Sequence, residues 1–229
     1  MQASLFDSCK GYIRAHADRP TAHQIAPMPS ITISREAGSG GLVIGEKILE
    51  LLQKENKNPI PWALFDRNLV ERVIEDHHLP KTIKRFMPED ITFDLTRGVE
   101  AVLDLHPSAW TLVEHTTDTI LRLASAGHAI IIGRGANVVT ARLPNVLHIR
   151  LIAPLELRTQ RIREIHNLTE REAALYVHQE DRARHRYVKR SFHVDVDDPL
   201  QYHMTLNTGT LSIDTAVRLV ADAARSLVK

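Results

Sequence analysis

Short apolar runs of strand length alternate along the chain with stretches whose apolar positions repeat every three or four residues. The runs begin near residues 31, 61, 129, 146 and 203, and the stretches between them have the period of amphipathic helices. Residues 128–132 form an unbroken apolar run, which is typical of a central parallel strand covered on both faces. The alternation predicts an α/β fold in which a five-stranded parallel sheet carries helices on both faces.

The helical stretches fall between these strands. Helices are predicted at about residues 44–55, 67–75, 108–126, 153–166, 170–189 and 213–228. Thr169, with Glu172 three residues later, forms a capping box that marks the start of the long helix. Residues 67–107 are interrupted by prolines and predict a small helical insertion. Residues 1–29 predict an N-terminal extension, either packed on the domain or loosely attached.

Composition bounds the class of protein. The 229 residues suit one α/β domain, here residues 30–229, with inserted segments. A formal net charge of +1 gives no reason to expect nucleic acid or an anionic membrane as a partner. The single cysteine, Cys9, excludes an intramolecular disulfide and fits a cytoplasmic protein. The first residues carry charges without a sustained apolar run, so neither a signal peptide nor a membrane span is expected.

The stretch at residues 31–45 carries the strongest chemical signal, because a β-branched strand leads through a glycine-rich turn into a helix. The turn contains Gly38, Ser39, Gly40 and Gly41. Such a turn lets successive backbone N–H groups and a helix N-terminus face a phosphate, so a nucleotide is the first hypothesis. The phosphate-loop pattern GxxxxGK[ST] is not met, since Gly41 replaces the lysine and neither Leu42 nor Val43 offers Mg²⁺ a hydroxyl.

Two more polar residues follow predicted strands, at the edge where ligands bind in open α/β sheets. Arg134 lies in a second glycine turn, at residues 133–136, and either reaches the cleft or forms a surface salt bridge. Asp66 ends the second strand and either caps the next helix or contacts a substrate.

The remaining polar clusters have simpler interpretations. The thirteen histidines form no metal-binding motif, and Asp195, Asp197 and Asp198 are predicted to be turn and cap residues. The long helix at 170–189 is dense in charges, which a solvated helix with i,i+4 ion pairs would explain. Glutamates interspersed among the arginines of residues 158–190 argue against a stripe that binds nucleic acid.

With these motifs in order, the chain resembles the cytidylate-kinase-like family of P-loop nucleoside monophosphate kinases. The resemblance covers about residues 30–227. It is carried by ITISREAGSGGxxIG at 31–45, FDRNLV at 65–70, IIGRGA at 131–136, PNVLxIRLIAPLExR at 144–158, QEDRARHRY at 179–187, DPLQY at 198–202 and LNT at 206–208. It implies a core with a phosphate loop, a monophosphate-binding insertion at about 67–107 and an arginine-rich lid at about 167–195.

The resemblance also implies roles for single residues. The glycine turn would cradle the phosphates of ATP, with Mg²⁺ as the implied metal, and Arg35 would supply part of the missing lysine's charge. Acceptor-side residues, for a CMP-like or dCMP-like nucleotide, would be Asp66, Arg134 and Arg158. Lid residues around the transferring group would be Arg182, Arg184 and Arg186. Two hypotheses stay open: a nucleoside monophosphate kinase, or a catalytically inactive nucleotide-binding regulator or sensor.

Overall fold

The computed structural model describes residues 28–66 and 107–227. Nearly all of the predicted extension at 1–29 and of the predicted insertion at 67–107 lies outside these residues, as does the predicted helix at 67–75.

Five strands and six α-helices follow one another in the described residues. The strands are β1 (Ser30–Arg35), β2 (Ala63–Phe65), β3 (Ala129–Ile132), β4 (Val146–Ile152) and β5 (Met204–Asn207). The helices are α1 (Gly41–Glu55), α2 (Pro107–Ala126), α3 (Ala136–Val139), α4 (Leu155–His166), α5 (Glu170–Phe192) and α6 (Ile213–Leu227). A 3-10 turn at Pro199–Gln201 precedes β5.

The strands form one parallel sheet in the order β2-β3-β1-β4-β5. β1 lies at the centre, where Ile33 is opposite Ile132 on β3 and Ile149 on β4. The carboxyl ends of β1, β3 and β4 therefore lie side by side at one edge. The predicted five-stranded parallel sheet is confirmed, and each crossover between parallel strands leaves room for helices on the faces.

Helices cover both faces because successive strand residues point to opposite sides of the sheet. On β3, Ile130 and Ile132 pack with α1 and α6, whereas Ala129 and Ile131 pack with α2. The alternation explains why the strand reads as an unbroken apolar run, since both of its faces are buried.

Several element boundaries differ from the predicted ones. β2 has only three residues, α5 continues to Phe192, and Pro154 stands at the N-cap of α4 instead of in its first turn. The predicted capping box is confirmed, since Thr169 N donates to Glu172 Oε2 at 2.9 Å. These bonds from Thr169 hold the pKa of Glu172 below its ordinary value of 4.5. Within the described part of the chain, none of the helices combines the length and apolar character needed to cross a membrane.

A buried histidine on β4, His148, contacts β1 and the exposed His203 just before β5, and it predicts a pH dependence of stability. His148 Nδ1 lies 2.8 Å from Thr32 Oγ1, and its ring stacks on that of His203 at 5.0 Å. Burial, and then the charge of His203, lower the pKa of His148 to about 4 from 6.5. The unfolded chain therefore binds a proton between these values that the folded chain does not.

We expect the free energy of unfolding to fall as the pH drops from 6.5 towards 4, by up to about 3 kcal/mol from this group. Urea unfolding at about pH 7 and about pH 5 measures the loss. His148→Gln should flatten the dependence, and an equally steep dependence in the variant would contradict the assignment to His148.

Candidate functional site

The glycine turn between β1 and α1 opens at the carboxyl edge of the sheet. Gly38 and Gly40 have φ angles of +75° and +88°, a region that side chains rarely adopt. A Cβ on Gly38 would lie 2.5 Å from the backbone oxygen of Arg158, so this turn packs directly against the start of α4. Gly40 is the N-cap of α1, and the helix therefore begins without a side-chain cap. This geometry gives backbone N–H groups access to an anion.

Ser39 stabilises the turn from within. Its side chain is fully buried, and its Oγ donates to the backbone oxygen of Glu36 at 2.8 Å. The hydroxyl is therefore used within the turn, and the backbone of Ser39 forms part of the turn.

Arg35 occupies the space that a side chain at residue 41 would need. A Cβ on Gly41 would lie 2.9 Å from Arg35 Cγ and 3.3 Å from Arg35 Cβ. Arg35 lines the cleft, and its Nη2 lies 3.5 Å from Oδ1 of Asp66, which is not among the described residues that line the cleft. A lysine at position 41 and the arginine at position 35 would compete for the same volume. The absence of the lysine and the presence of Arg35 are therefore linked.

Arg158 was predicted to face the acceptor, but it lies behind the turn and holds it. Its Nη1 donates to Ala37 O at 3.2 Å and to Asp181 Oδ2 at 2.6 Å, while Nε donates to Ala153 O at 2.9 Å. Glu36 Oε2 lies 3.3 Å from the same Nε. Arg158 is only 7% exposed and is not among the described residues that line the cleft. The prediction overlooked that the first turn of α4 packs against the glycine turn.

Arg134 is placed in the cleft by a strained turn. It has a φ of +56° between Gly133 and Gly135, whose φ angles are also positive, and it is 2% exposed. A Cβ on Gly135 would overlap the ring of Phe192 at 2.3 Å, so the end of α5 packs closely on this turn. Non-glycine residues in this region are costly and cluster at functional sites. The surface salt-bridge interpretation of Arg134 does not fit its burial.

Arg150 is a cleft residue that the sequence analysis did not identify. It lies on β4, is 4% exposed, and its Nη1 donates to Ser34 Oγ at 3.0 Å. Its Nη2 pairs with Asp197, and its guanidinium lies 5.8 Å from the centre of the Tyr202 ring. An arginine inside a strand that is apolar apart from His148 was the available signal, because arginine is almost never fully buried unless it is paired.

The cleft lies between the carboxyl ends of β1, β3 and β4 and the inner face of α5. It is a narrow cleft, with a volume of about 30 Å³ open to the centre of a water-sized molecule. Its charged lining includes four arginines and two carboxylates, and three of the arginines are also paired with carboxylates outside the lining: Arg35 with Asp66, Arg150 with Asp197 and Arg184 with Glu180. The charged residues are Arg35, Arg134, Arg150, Arg184, Glu36 and Asp181.

Only one of the three predicted lid arginines lines this cleft. Arg184 does so, and it donates to Glu180 Oε2 at 2.7 Å and to Asp181 Oδ1 at 3.3 Å. Arg182 and Arg186 are exposed and lie outside the described lining. The helical period explains the difference, because alternate residues of one helix cannot all point to one side. The pair between Arg184 and Glu180 also confirms the predicted i,i+4 ion pairing in α5.

Asp181 joins α5 directly to the glycine turn. Its Oδ1 accepts a hydrogen bond from Ala37 N at 2.7 Å, and its Oδ2 accepts from Arg158. The apolar side of this contact consists of Ala37 packed with Ile162, Ala173 and Val177. No sequence pattern marks a carboxylate that bonds to a backbone N–H 144 residues away.

The acidic loop before β5 has the predicted turn chemistry. Asp195 Oδ1 accepts from Asp197 N at 3.0 Å, and Asp198 Oδ1 accepts from Leu200 N at 2.9 Å. His185, Asp195 and Asp197 lie close enough to offer three metal ligands. Asp197, however, is already paired with Arg150 and lies 3.3 Å from His185 Nε2, so we assign no metal to this group.

Comparisons with known proteins agree with this architecture. The cytidylate-kinase-like family matches residues 30–210. An uncharacterised protein from Eubacterium ventriosum has a crystal structure that superposes with a TM-score of 0.65, at 19% identity, over 87% of this chain and 99% of that chain. The likeness shows a shared fold.

Two further matches carry less weight. A shikimate kinase from Acinetobacter baumannii, solved with shikimate, superposes with a TM-score of 0.46 at 16% identity, over 87% of this chain and 94% of that chain. A uronate isomerase from Corynebacterium glutamicum is 29% identical over 111 residues, which are 48% of this chain and 21% of that protein. The chain spans about a fifth of the isomerase's length.

The family match covers the part of the chain that forms the sheet and the cleft. Residues 30–210 include every strand, the glycine turn and the arginines of the cleft. The parallel sheet, with its glycine turn after the central strand, is the arrangement that the resemblance implies. The chain therefore belongs to the cytidylate-kinase-like family and has the P-loop kinase fold of that family.

Proposed function

We propose that the protein transfers a phosphoryl group from ATP to a nucleoside monophosphate, with CMP or dCMP as the first acceptors to test. The observation that carries the proposal is the position of the glycine turn directly beside a cleft lined by arginines. Phosphoryl transfer needs positioning and charge neutralisation more than covalent help from the protein. Both requirements are met by groups at the carboxyl edge of this sheet.

The glycine turn is proposed to hold the donor. Its backbone and the uncapped start of α1 offer N–H groups to the β- and γ-phosphates, while Arg35 offers the charge that a lysine provides in other phosphate loops. Arg35 fills the space that a side chain at residue 41 would need, which supports the proposal that Arg35 takes the role of the lysine.

The arginines deeper in the cleft are proposed to hold the acceptor phosphate. Arg134 and Arg150 are buried there, and Arg184 reaches the same cleft from α5. Arginine suits a phosphate because its planar fork can bind two oxygens at once. Arg182 and Arg186, which are exposed, are proposed to act only if α5 moves towards a bound donor.

A direct protein ligand for Mg²⁺ does not fit the start of α1. Val43, 43% exposed, stands where a phosphate loop supplies a hydroxyl, and an apolar side chain cannot coordinate the metal. The carboxylates of Glu36 and Asp181 are bonded to Ala153 N and Ala37 N. We therefore assign no reaction step to Mg²⁺, which commonly binds through phosphates and water.

A second candidate function is nucleotide binding without turnover, in a sensor or regulator. The observation that favours it is the apolar, exposed pair Leu42 and Val43 beside the turn. These residues remove polar groups that would act mainly in the transition state, so binding could persist where catalysis does not.

The two functions are separated by one pair of measurements. Incubation with ATP, Mg²⁺ and each nucleoside monophosphate should release ADP if the protein is a kinase. Protein that is folded by circular dichroism and releases no ADP with any acceptor contradicts the kinase proposal. Calorimetric binding of ADP in the same sample then supports the regulator, and the absence of binding contradicts both.

A further inference from the structure

The peptide oxygens of residues 36–39, which lead into and form the glycine turn, all accept hydrogen bonds. Ser39 donates to Glu36 O, Arg158 donates to Ala37 O, and two further groups bind the next two oxygens. Arg161 Nη1 donates to Gly38 O at 3.3 Å, and Thr208 Oγ1 donates to Ser39 O at 2.8 Å. Four consecutive carbonyls therefore have named donors.

Arg161 and Thr208 also bind each other, so they act as one unit. Arg161 Nη1 donates to Thr208 Oγ1 at 3.0 Å, and Nη2 donates to Thr208 O at 2.9 Å. The guanidinium thus joins α4, the end of β5 and the glycine turn. Thr208 is 3% exposed, which shields the bonds on its side from water. The unit is called the Arg161–Thr208 clamp below.

The C=O and the N–H of one peptide group point in opposite directions, because the peptide bond is planar and trans. A hydrogen bond that holds the oxygen therefore also fixes the direction of the N–H. We propose that the Arg161–Thr208 clamp holds the glycine turn in its anion-binding form before any nucleotide arrives. Arg161 and Thr208 are then positioning residues, and the inference rests on the proposed function of the turn as the donor site. Binding costs less when the site is already ordered.

The Arg161–Thr208 clamp would hold the shape of a glycine turn that has no lysine. The ordering comes from Arg161 and Thr208, on two elements that are distant in sequence from the turn. Preorganised N–H groups stabilise charge without reorganising during reaction. The clamp predicts an effect on the donor nucleotide and none on the acceptor, since Arg161 and Thr208 lie outside the described lining of the cleft.

The test uses four variants of the full chain and one control. Arg161→Ala and Thr208→Val remove the clamp, Thr208→Ser keeps the hydroxyl, and Arg161→Lys keeps the charge without the fork. Arg163→Ala is the matched control, because Arg163 is an exposed arginine on the same helix. Calorimetry measures ADP and CMP affinity separately. Hydrogen–deuterium exchange without nucleotide follows the Ser39 N–H group, which shares a peptide with the Gly38 oxygen held by Arg161 and donates to Glu36 O.

We expect Arg161→Ala and Thr208→Val to weaken ADP binding by roughly tenfold each, with CMP affinity unchanged and faster exchange at the Ser39 N–H. Thr208→Ser and Arg163→Ala should match the wild type, and Arg161→Lys should restore binding only in part. Combining Arg161→Ala with Thr208→Val should weaken binding by less than the product of the two effects, because the residues act together.

Two results would overturn the inference. Equal losses of ADP and CMP affinity would show a general structural role, and unchanged exchange at the Ser39 N–H would show that the turn keeps its shape without the clamp. If the wild type binds neither nucleotide, the proposed function fails. The exchange measurement still decides the clamp, because it needs no ligand.

Discussion

Gly38→Ala is expected to reduce ADP affinity at least about 100-fold, whereas Gly40→Ala reduces it by about tenfold or less. Both glycines have positive φ, so an added Cβ costs about 1–2 kcal/mol of backbone strain at either position. Only Gly38 also meets backbone, with Arg158 O 2.5 Å from the added Cβ. The turn must then move away from α4, which breaks its bonds to Arg158.

Gly40→Ala is the matched control for strain alone. Its nearest contact would be Ile44 Cδ1 at 3.8 Å, an ordinary van der Waals distance. Calorimetry with ADP and thermal unfolding of both variants give the comparison. Equal losses of affinity in the two variants would contradict the close packing of the turn on α4 as the cause.

Arg35→Met is expected to lower the rate of phosphoryl transfer by 10²–10³-fold, on the order of 3–4 kcal/mol in the transition state. Methionine keeps an apolar stem beside Gly41 but removes the charge, so the shape of the turn is preserved. Initial rates at saturating ATP and acceptor measure the effect. Arg35→Lys should recover a large part of the rate, since it keeps a cation.

Asp66 offers a control for the charge of Arg35. Asp66→Asn removes the carboxylate that lies 3.5 Å from Arg35 and leaves the arginine in place. We expect this variant to keep transfer within about tenfold of the wild type, because a partly exposed ion pair contributes little. A loss as large as that of Arg35→Met would show that the pair, and not the cation alone, is required.

Most of the fold could be predicted from the sequence because each strand has a local signature. The β-branched run at 31–35 and the apolar run at 128–132 are periodic enough to identify alone. Their parallel order follows from the helices between them. The end of α5 was less predictable, since Arg190, Ser191 and Phe192 contain no stop signal and the helix is capped by His193, a residue with positive φ.

The candidate site was predictable where a residue follows a strand and less so elsewhere. The glycine turn and Arg134 lie at strand ends, and the structure brings both to the same edge. Arg158 was misplaced, because the direction of a side chain in the first turn of a helix depends on what packs beside it. Arg161, Thr208 and Asp181 bind the turn from distant segments, and one sequence contains no signal for such long-range hydrogen bonds.

The structure also gives a physical reason for the absence of a lysine at position 41. The sequence shows Gly41 as the loss of a functional group, whereas the structure shows its space filled by the stem of Arg35. Gly41→Lys alone should therefore lower activity, because the new Cβ would lie 2.9 Å from Arg35 Cγ, close to the backbone where a side chain cannot easily yield.

The double variant Arg35→Ala/Gly41→Lys tests the exchange of roles most directly. Alanine at position 35 removes the 2.9 Å contact with Cγ and leaves only Cβ at 3.3 Å, and the lysine returns a cation to the turn. Phosphoryl transfer to the acceptor, measured with labelled ATP, should be at least about tenfold faster than in Arg35→Ala alone. A double variant no faster than Arg35→Ala, in folded protein that binds ADP, would contradict the claim that Arg35 replaces the lysine of the phosphate loop.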